Sequence, residues 1–261
     1  MADGEKFPET LEWPEIVQKI RNRTPARIFV QRGAAYTTRM GLELRNAHAS
    51  AVDAVWTEFD LQKDLPLDFV ANWKLFQVSS QAESKSQYLL RPDLGRKLTE
   101  ASKTGILEHC PKSPDVQIVI GDGLSGAALS AQVPSLLPLL HQYVHARGWS
   151  IGQSFCVRYC RVGIMNDIGE LLSPRVLVLL IGERPGLATA ESLSAYMGYS
   201  PRLGHTDADR NLISNIHSRG VRIEEAAGRI TNLASRMIAL KLSGTPVKEG
   251  TPELPLEDKP R

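Results

Sequence analysis

The stretch Pro114–Gly126, which reads PDVQIVIGDGLSG, is the most informative part of the 261-residue chain. Its apolar run contains β-branched valine and isoleucine, and it ends in glycines that precede a long helical pattern. A buried strand that passes into a helix through a tight turn is the repeating unit of α/β folds, and ligands bind at such turns. The stretch therefore predicts an α/β domain with its ligand at the carboxyl end of a sheet.

Residues 121–126 also match G-x-G-x-x-G, the glycine pattern of dinucleotide-binding turns. A dinucleotide site needs an acidic residue roughly 20 positions further on, which binds the ribose hydroxyls. Here no Asp or Glu occurs from Ala127 until Asp167, and Pro134 and Pro138 are expected to interrupt the helix that follows the glycines. We therefore favour a different ligand and keep a free-standing dinucleotide-dependent oxidoreductase as an alternative function.

The composition is that of a soluble globular protein, with 42% hydrophobic and 23% charged residues. The 31 basic and 29 acidic side chains nearly balance and form no basic block, so we expect no nucleic-acid partner. The three cysteines Cys110, Cys156 and Cys160 have no framework spacing, which indicates a reducing compartment. Neither a secretory signal nor a membrane-spanning run is evident. We therefore expect a cytoplasmic protein with no membrane contact.

The apolar pattern divides the chain into three regions. Residues 1–110 are predicted to form a smaller, mainly helical N-terminal region. Within it, helices are predicted at 14–22, 36–59 and 93–109, and a strand is predicted at 73–78. The pattern then changes to the strand–turn–helix order of an α/β domain.

Residues 111–244 are predicted to form a Rossmann-like domain with a mainly parallel sheet. The runs at 116–120 and 176–181 are almost entirely apolar, which is typical of strands buried on both faces. The predicted strands are Val116–Ile120, Phe155–Val162, Val176–Ile181 and Ser194–Tyr199, and the predicted helices are 126–147, 166–172 and 223–240, the last ending near Gly244. Residues 245–261 contain four prolines and four acidic residues and are predicted to be a disordered tail.

Two pairs of potential metal ligands occur, but neither predicts a metal site. His141 and His145 are one helical turn apart, a spacing that can bind zinc, yet no third ligand is obvious nearby. Cys156 and Cys160 fall on one predicted strand, so both are expected to point to the same side and to pack. Histidines near a helix C-terminus and packed cysteines are the simpler interpretation.

The segment Asn215–Gly220, which reads NIHSRG, partly matches the Asp-x-His-x-x-Gly loop with which some corrinoid proteins supply a histidine to cobalt. In that loop the Asp hydrogen-bonds the imidazole and tunes it as a ligand. Because Asn215 stands at the Asp position, we interpret His217 as a loop histidine before the last helix.

The segment Gly182–Gly186, which reads GERPG, follows a buried strand at the edge where open α/β sheets bind ligands. Glu183 is able to accept hydrogen bonds from amide or hydroxyl groups, and Arg184 is able to pair with a phosphate or carboxylate. A solvated turn explains the two charges equally well. Since no catalytic triad, nucleophile elbow or phosphate loop is present, the sequence predicts a ligand-binding protein without catalytic residues.

Several of these segments together resemble the small subunit of ethanolamine ammonia-lyase. The similarity runs nearly colinearly from about residue 14 to Gly244. It is carried by Arg91–Arg96 (RPDLGR), Pro114–Ser125, Val157–Val162 (VRYCRV), Asp167–Glu170 (DIGE), Ile181–Leu187 (IGERPGL), Glu191–Ser194 (ESLS), Tyr199–Arg202 (YSPR) and Ile213–His217 (ISNIH). Several long motifs in one order are far more specific than any single pattern.

The resemblance implies an adenosylcobalamin-dependent lyase that converts ethanolamine to acetaldehyde and ammonia by radical chemistry. In that family a TIM-barrel large subunit binds the substrate, and the small subunit covers the corrinoid with a Rossmann-like C-terminal domain. The assembly is a trimer of heterodimer pairs. Many relatives carry a leading segment that targets them to a bacterial microcompartment. No such extension is evident here, so cytoplasmic localisation is expected and a microcompartment is the alternative.

Carried over by position, the family's cobalamin contacts are Val162, Glu183 and Asn211, the last replacing a usual Cys. By analogy of turn position, Asp122, Gly123, Leu124 and Ser125 are expected to face the nucleotide loop of the corrinoid, and Arg161 is a further expected cofactor contact. The family keeps the dimethylbenzimidazole base on cobalt, so His217 is not expected to bind the metal. A corrinoid-binding module of another enzyme or of a sensor is a further alternative.

Overall fold

The structure, a computed structural model, describes residues 35–250 together with residues 15, 19, 20, 31 and 32. Eight α-helices lie between residues 35 and 250: α1 Thr38–Trp56, α2 Leu61–Asp64, α3 Leu67–Asn72, α4 Lys85–Leu90, α5 Glu100–His109, α6 Gly126–His145, α7 Ile164–Leu172 and α8 Ile223–Leu240. The strands are β1 Gln31–Arg32, β2 Ala35–Tyr36, β3 Gln77–Ser79, β4 Val116–Gly121, β5 Phe155–Arg158, β6 Val176–Gly182, β7 Leu193–Tyr199 and β8 Asn211–Ile216.

A mixed six-stranded sheet in the order β3–β5–β4–β6–β7–β8 forms the centre of the fold. The first four strands of this order are parallel, whereas β6–β7 and β7–β8 are antiparallel. Helices α6 and α8 pack on one face, and α5 and α7 pack on the other. Because both faces are covered, every residue of β4 and β6 is buried. None of the described helices is long and apolar enough to span a membrane.

The strands predicted at 116–120, 176–181 and 194–199 are confirmed with small changes at their ends. The expectation of a mainly parallel sheet is corrected, because β7 is antiparallel to β6 and the unpredicted β8 extends the sheet further. Of the strand predicted at 73–78, only the last two residues are in a strand, since β3 begins at Gln77, and β3 pairs with β5 at the edge of the same sheet. The Rossmann-like description and the division at residue 110 stay predictions.

The strand predicted at 155–162 is shorter, since it ends at Arg158. Tyr159 follows with a φ of +55°, which is outside the range of a strand. The chain therefore turns, and Cys156 and Cys160 pack into different apolar clusters on opposite faces of the sheet. The prediction that both point to one side is wrong, whereas both are buried as free cysteines.

Helix α6 continues through Pro134 and Pro138, so the expected interruption is wrong. Each proline removes one backbone donor, but buried residues such as Leu136, Leu137 and Leu140 hold the helix against the sheet. The helix predicted at 36–59 is confirmed as α1. The helix predicted at 93–109 is only partly confirmed, as a 3₁₀ turn at Leu94–Arg96 followed by α5. The helix predicted at 14–22 lies outside the described residues, apart from residues 15, 19 and 20.

The C-terminal segment contradicts the expected start of a disordered tail at residue 245. Val247 is only 2% exposed and packs into the main core. Helix α8 ends at Leu240, where Lys241 adopts the left-handed conformation expected of Gly244. Gly244 has its own positive φ in the following turn, next to the Ala208 carbonyl. The remainder of the predicted tail, residues 251–261, lies outside the described residues.

Candidate functional site

A cavity of about 370 Å³ opens at the carboxyl ends of the parallel strands. Its walls come from the turns after β4, β5 and β6 and from β7 and β8. They include four residues predicted from the sequence, Leu124, Arg161, Val162 and Glu183, and further residues such as Tyr88, Arg184, Ser194 and Asn215. The edge of the sheet expected to bind a ligand is therefore the edge where these predicted residues converge.

The Glu183 carboxylate is held by three donors of the chain itself. Its Oε2 accepts a hydrogen bond of 2.7 Å from the Ser192 hydroxyl. Its Oε1 accepts bonds of 2.6 Å from the Ser194 hydroxyl and 2.9 Å from the Asn215 backbone N–H. Glu183 itself remains half-buried and lines the cavity. The group therefore offers a fixed acceptor at the cavity wall.

Val162 and Arg161 form the neighbouring wall after β5. Val162 is half-buried and gives this wall an apolar patch. The Arg161 guanidinium lies over the Tyr88 ring, 4.3 Å from its centroid, and donates a bond of 3.2 Å to the Tyr88 carbonyl. Burial raises the pKa of Tyr88, so its phenol stays protonated and donates to the Cys160 carbonyl. The wall thus combines an apolar contact with a stacked cation.

The glycine turn packs against the protein rather than lining the cavity. Asp122 and Ser125 have no exposed surface, and a Cβ at Gly123 would meet the Gly182 carbonyl oxygen at 2.6 Å. The Leu124 N–H donates to the Gly182 carbonyl, and the Ser125 hydroxyl donates to the Ala190 carbonyl. Only Leu124 of these turn residues lines the cavity. The Leu124 donor and the close approach at Gly123, which a pyrophosphate would need, are thus already used within the fold.

Asp122 belongs to a group of buried charges behind the cavity. Burial raises the pKa of its carboxyl to about 6, and the Lys85 ammonium opposes this rise. Lys85 is 4% exposed, and burial lowers the pKa of its ammonium. Nearby, Glu58 accepts hydrogen bonds from Tyr159 and Arg158, and these bonds help to lower its pKa. The interior next to the cavity therefore contains the buried charged groups Asp122 and Lys85 as well as apolar side chains.

The relatives of this chain agree on one family. The model of the family described as Ethanolamine ammonia-lyase light chain matches residues 14–248. The chain belongs to this family. It is 41% identical to the ethanolamine ammonia-lyase small subunit of Fusobacterium nucleatum over 231 residues, covering 88% of this chain and 76% of the relative. It is 37% identical to the small subunit of Clostridium acetobutylicum over 235 residues, covering 90% of this chain and 95% of the relative.

Asn211 is not among the residues that line the cavity. Its Nδ2 donates to the carbonyls of Gly244 and Val247 at 3.1 and 2.6 Å. Its Oδ1 accepts a bond of 2.7 Å from the Gly244 N–H. The Asn211 amide thus fastens the C-terminal segment to the start of β8.

His217 and His141, two of the histidines considered as metal ligands, are in contact with other residues of the chain. His217 is 6% exposed, and its Nδ1 accepts a bond of 3.3 Å from the Arg219 N–H. Burial lowers the pKa of His217 and favours the neutral ring. Burial also lowers the pKa of His141 to about 4, and the Trp73 ring lies edge-on at 4.5 Å. His141 and His145 are 6.2 Å apart between ring centroids.

Sequence reasoning missed the donors that orient Glu183. Ser192 and Ser194 lie within a recognised motif, but no role was assigned to them. Their spacing of two residues at the start of a strand was the available signal, because such residues share one face. The Asn215 donor is a backbone group, and no side-chain pattern could have revealed it.

Proposed function

We propose that this chain is the small subunit of an adenosylcobalamin-dependent ethanolamine ammonia-lyase and that its cavity binds one edge of the corrinoid. The observation that carries the proposal is the convergence of Val162, Arg161 and Glu183 in one cavity of a chain in this family. Val162 and Glu183 are two of the three positions that the family resemblance assigns to the cofactor, and Arg161 is a further predicted contact. The proposal extends to a large-subunit partner, a trimer of heterodimer pairs and a base-on cofactor.

The residues present fit the chemistry of a corrinoid. Its rim carries methyl groups and neutral amide side chains, and its nucleotide loop carries a phosphodiester. Glu183 would accept from an amide N–H, Val162 would contact an apolar part of the rim, and Arg161 would face an amide oxygen or the phosphodiester. A cavity of about 370 Å³ is large enough for part of the corrinoid edge only, so the large subunit would cover the rest.

Adenosylcobalamin would supply the radical that starts the rearrangement of ethanolamine. The role of this chain is to bind and orient the corrinoid and to keep water from its covered edge. No residue of the cavity is proposed to exchange a proton with substrate, which lies with the large subunit. Cytoplasmic localisation is proposed, with a microcompartment as the alternative.

The dinucleotide-dependent oxidoreductase is the weaker alternative. Its glycine turn would have to release the Leu124 N–H and accept a pyrophosphate where Gly123 meets the backbone of Gly182. A corrinoid module of a different enzyme would use the same cavity. Turnover of ethanolamine with a cognate large subunit separates that possibility from the main proposal.

The first test replaces Glu183 in the complex co-expressed with a cognate large subunit. We expect Glu183→Ala and Glu183→Gln to raise the dissociation constant of cyanocobalamin roughly tenfold or more, because a hydrogen bond to a charged acceptor is lost or weakened. Equilibrium dialysis measures this constant without turnover. Ethanolamine turnover with adenosylcobalamin should require both chains.

Glu108→Ala is the matched control, since Glu108 is an exposed helical residue outside the cavity. It should leave cyanocobalamin binding unchanged. Unchanged binding in both Glu183 variants would contradict the proposed contact, and a complex that binds cobalamin without turning over ethanolamine would favour a different substrate.

A further inference from the structure

The Glu183 carboxylate follows β6, and its three donors come from the start of β7 and from β8. Glu183 follows β6 directly, and its N–H donates to the Ser192 carbonyl at 3.0 Å, which continues the β6–β7 pairing by one residue. Ser192 and Ser194 are 7% and 3% exposed. Because they are two residues apart on an extended segment, both hydroxyls reach the same carboxylate.

The third donor depends on an irregularity in β8. Leu193 pairs with Ile216 and Ala195 pairs with Ile213, so β8 contains one residue more than β7 between these pairs. Asn215 lies in this bulge with a φ of +58°. The bulge turns the Asn215 N–H toward Glu183 Oε1, which it reaches at 2.9 Å. A regular ladder would direct this N–H into pairing with the neighbouring strand or away from it.

These donors limit what the carboxylate is able to bind. An ionised carboxylate has about four acceptor positions, and three are filled by the chain. The remaining acceptor capacity is available to a ligand donor such as an amide N–H. A ligand carboxylate would add a second negative charge without a donor, which is unfavourable at a half-buried site.

We propose that Ser192 and Ser194 are positioning residues that hold Glu183 in one orientation, so that it selects an uncharged amide on the corrinoid rim. This inference rests on the proposed function of the cavity. The serines contact no corrinoid group themselves in this scheme. They act by fixing the Glu183 side chain before the ligand binds. Without them, this side chain would lose rotamer freedom on binding.

Ser192→Ala, Ser194→Ala and the double variant test the positioning role in the two-subunit complex. Each single change is expected to raise the cyanocobalamin dissociation constant about threefold to tenfold, and the double change more. In the Glu183→Ala background the same serine changes should have no further effect, because the group they position is gone. Ser192→Thr keeps the hydroxyl and should retain most of the affinity.

Ser102→Ala is the matched control. Ser102 is 6% exposed and its hydroxyl bonds with Ser79 and Thr99, remote from the cavity residues. Its replacement should change thermal unfolding without changing cyanocobalamin binding. Serine changes that lower thermal stability like Ser102→Ala but leave affinity intact would overturn the inference.

The cyanocobalamin monocarboxylates, in which one propionamide is hydrolysed to a carboxylate, test the selectivity. At least one of them should bind the wild-type complex more than tenfold more weakly than cyanocobalamin, and Glu183→Gln should recover most of that loss. If all the monocarboxylates bound as tightly as cyanocobalamin, the proposed selectivity would be overturned. The same holds if Glu183→Gln did not recover the affinity lost by the weakly bound monocarboxylate.

The two proposals fail in different ways. If Glu183→Ala weakens cyanocobalamin binding but the serine variants do not, the positioning role is wrong and the cavity still binds the corrinoid. If Glu183→Ala itself has no effect, the proposed function of the cavity is wrong. Additive losses of affinity in the serine and Glu183 variants would assign the serines a separate role and overturn the positioning proposal.

Discussion

Asp122 has an unusual position for an acidic residue, because it lies in a tight turn with no exposed surface. Its Oδ1 has no hydrogen-bond partner among the described residues, while its Oδ2 accepts a bond of 3.4 Å from the Tyr159 N–H. Burial therefore outweighs the nearby Lys85 and raises the pKa of the carboxyl to about 6. A carboxyl with a raised pKa makes the stability of the fold depend on pH.

The sign of this dependence follows from the direction of the pKa shift. Between the unfolded value of 3.8 and the folded value of about 6, the unfolded chain releases the Asp122 proton first. This contribution to stability is therefore full below pH 3.8 and is lost as the pH rises through about 6. Over this window the loss corresponds to about 3 kcal/mol.

We expect Asp122→Asn to remove this pH dependence. The difference in unfolding free energy between wild type and Asp122→Asn should change by roughly 2 kcal/mol from pH 4 to pH 7, in favour of the variant at the higher pH. Urea unfolding at several pH values measures the difference. A difference between wild type and Asp122→Asn that stays constant from pH 4 to pH 7 would contradict this interpretation.

At the residue scale, sequence reasoning found side chains that follow buried strands and missed what orients them. Glu183 was indicated because it directly follows an apolar strand, at the edge where such folds bind ligands, whereas Val162 was predicted only from the family resemblance. The burial of Asp122 and Ser125 could not be predicted, since a glycine turn has the same pattern whether it faces a ligand or another strand. The engagement of Asn211 with Val247 depends on a contact over 36 positions that no local pattern contains.

Among the elements, buried strands and amphipathic helices were predictable because their periodicity is strong. Strand β8 was missed because only Ile213 and Ile216 are buried in it. The direction of β7 could not be predicted, since an antiparallel strand buried on both faces has the same apolar character as a parallel one. The interruption predicted for α6 was wrong because helix propensity alone disfavours an internal proline, whereas packing against the sheet holds this helix together.

Helix α7 offers a test of packing at the scale of elements. Gly169 faces the loop after β7, and a Cβ at this position would lie only 1.9 Å from the Pro201 carbonyl oxygen. Because a backbone atom cannot move aside cheaply, we expect Gly169→Ala to lower the unfolding free energy by roughly 1–3 kcal/mol. Urea unfolding measures the change.

Gly228→Ala in α8 is the matched control for this substitution. A Cβ at Gly228 meets no atom within 4 Å, so alanine should stabilise the helix by roughly 0.5–1 kcal/mol through its higher helix propensity. Opposite signs for two glycine-to-alanine changes in helices would identify the contact with Pro201 as the cause. If both variants were stabilised, α7 would have room to shift away from the loop.

At the scale of the whole molecule, the segment after α8 returns to the sheet and closes the core. Val247 is buried with the residues of α8 and β8, and Arg229 forms an ion pair with Glu249 through Nε and Nη2, at 2.7 and 2.9 Å. Asn211 fastens this segment by three hydrogen bonds. The position expected to bind the cofactor is thus used to hold the C-terminal segment against the sheet.

This arrangement predicts that Asn211 and Glu183 affect different properties. Asn211→Ala should lower the unfolding free energy by roughly 1–3 kcal/mol, because the buried partners of the amide lose their hydrogen bonds. It should leave cyanocobalamin affinity of the two-subunit complex unchanged, whereas Glu183→Gln should change affinity with little effect on unfolding. Asn211→Asp keeps the acceptor for the Gly244 N–H but removes both donors, so its stability should be reduced as well. If Asn211→Ala instead lowered cyanocobalamin affinity without changing stability, Asn211 would be assigned to the cofactor site. The C-terminal segment would then be held by Val247 and the Arg229–Glu249 pair alone.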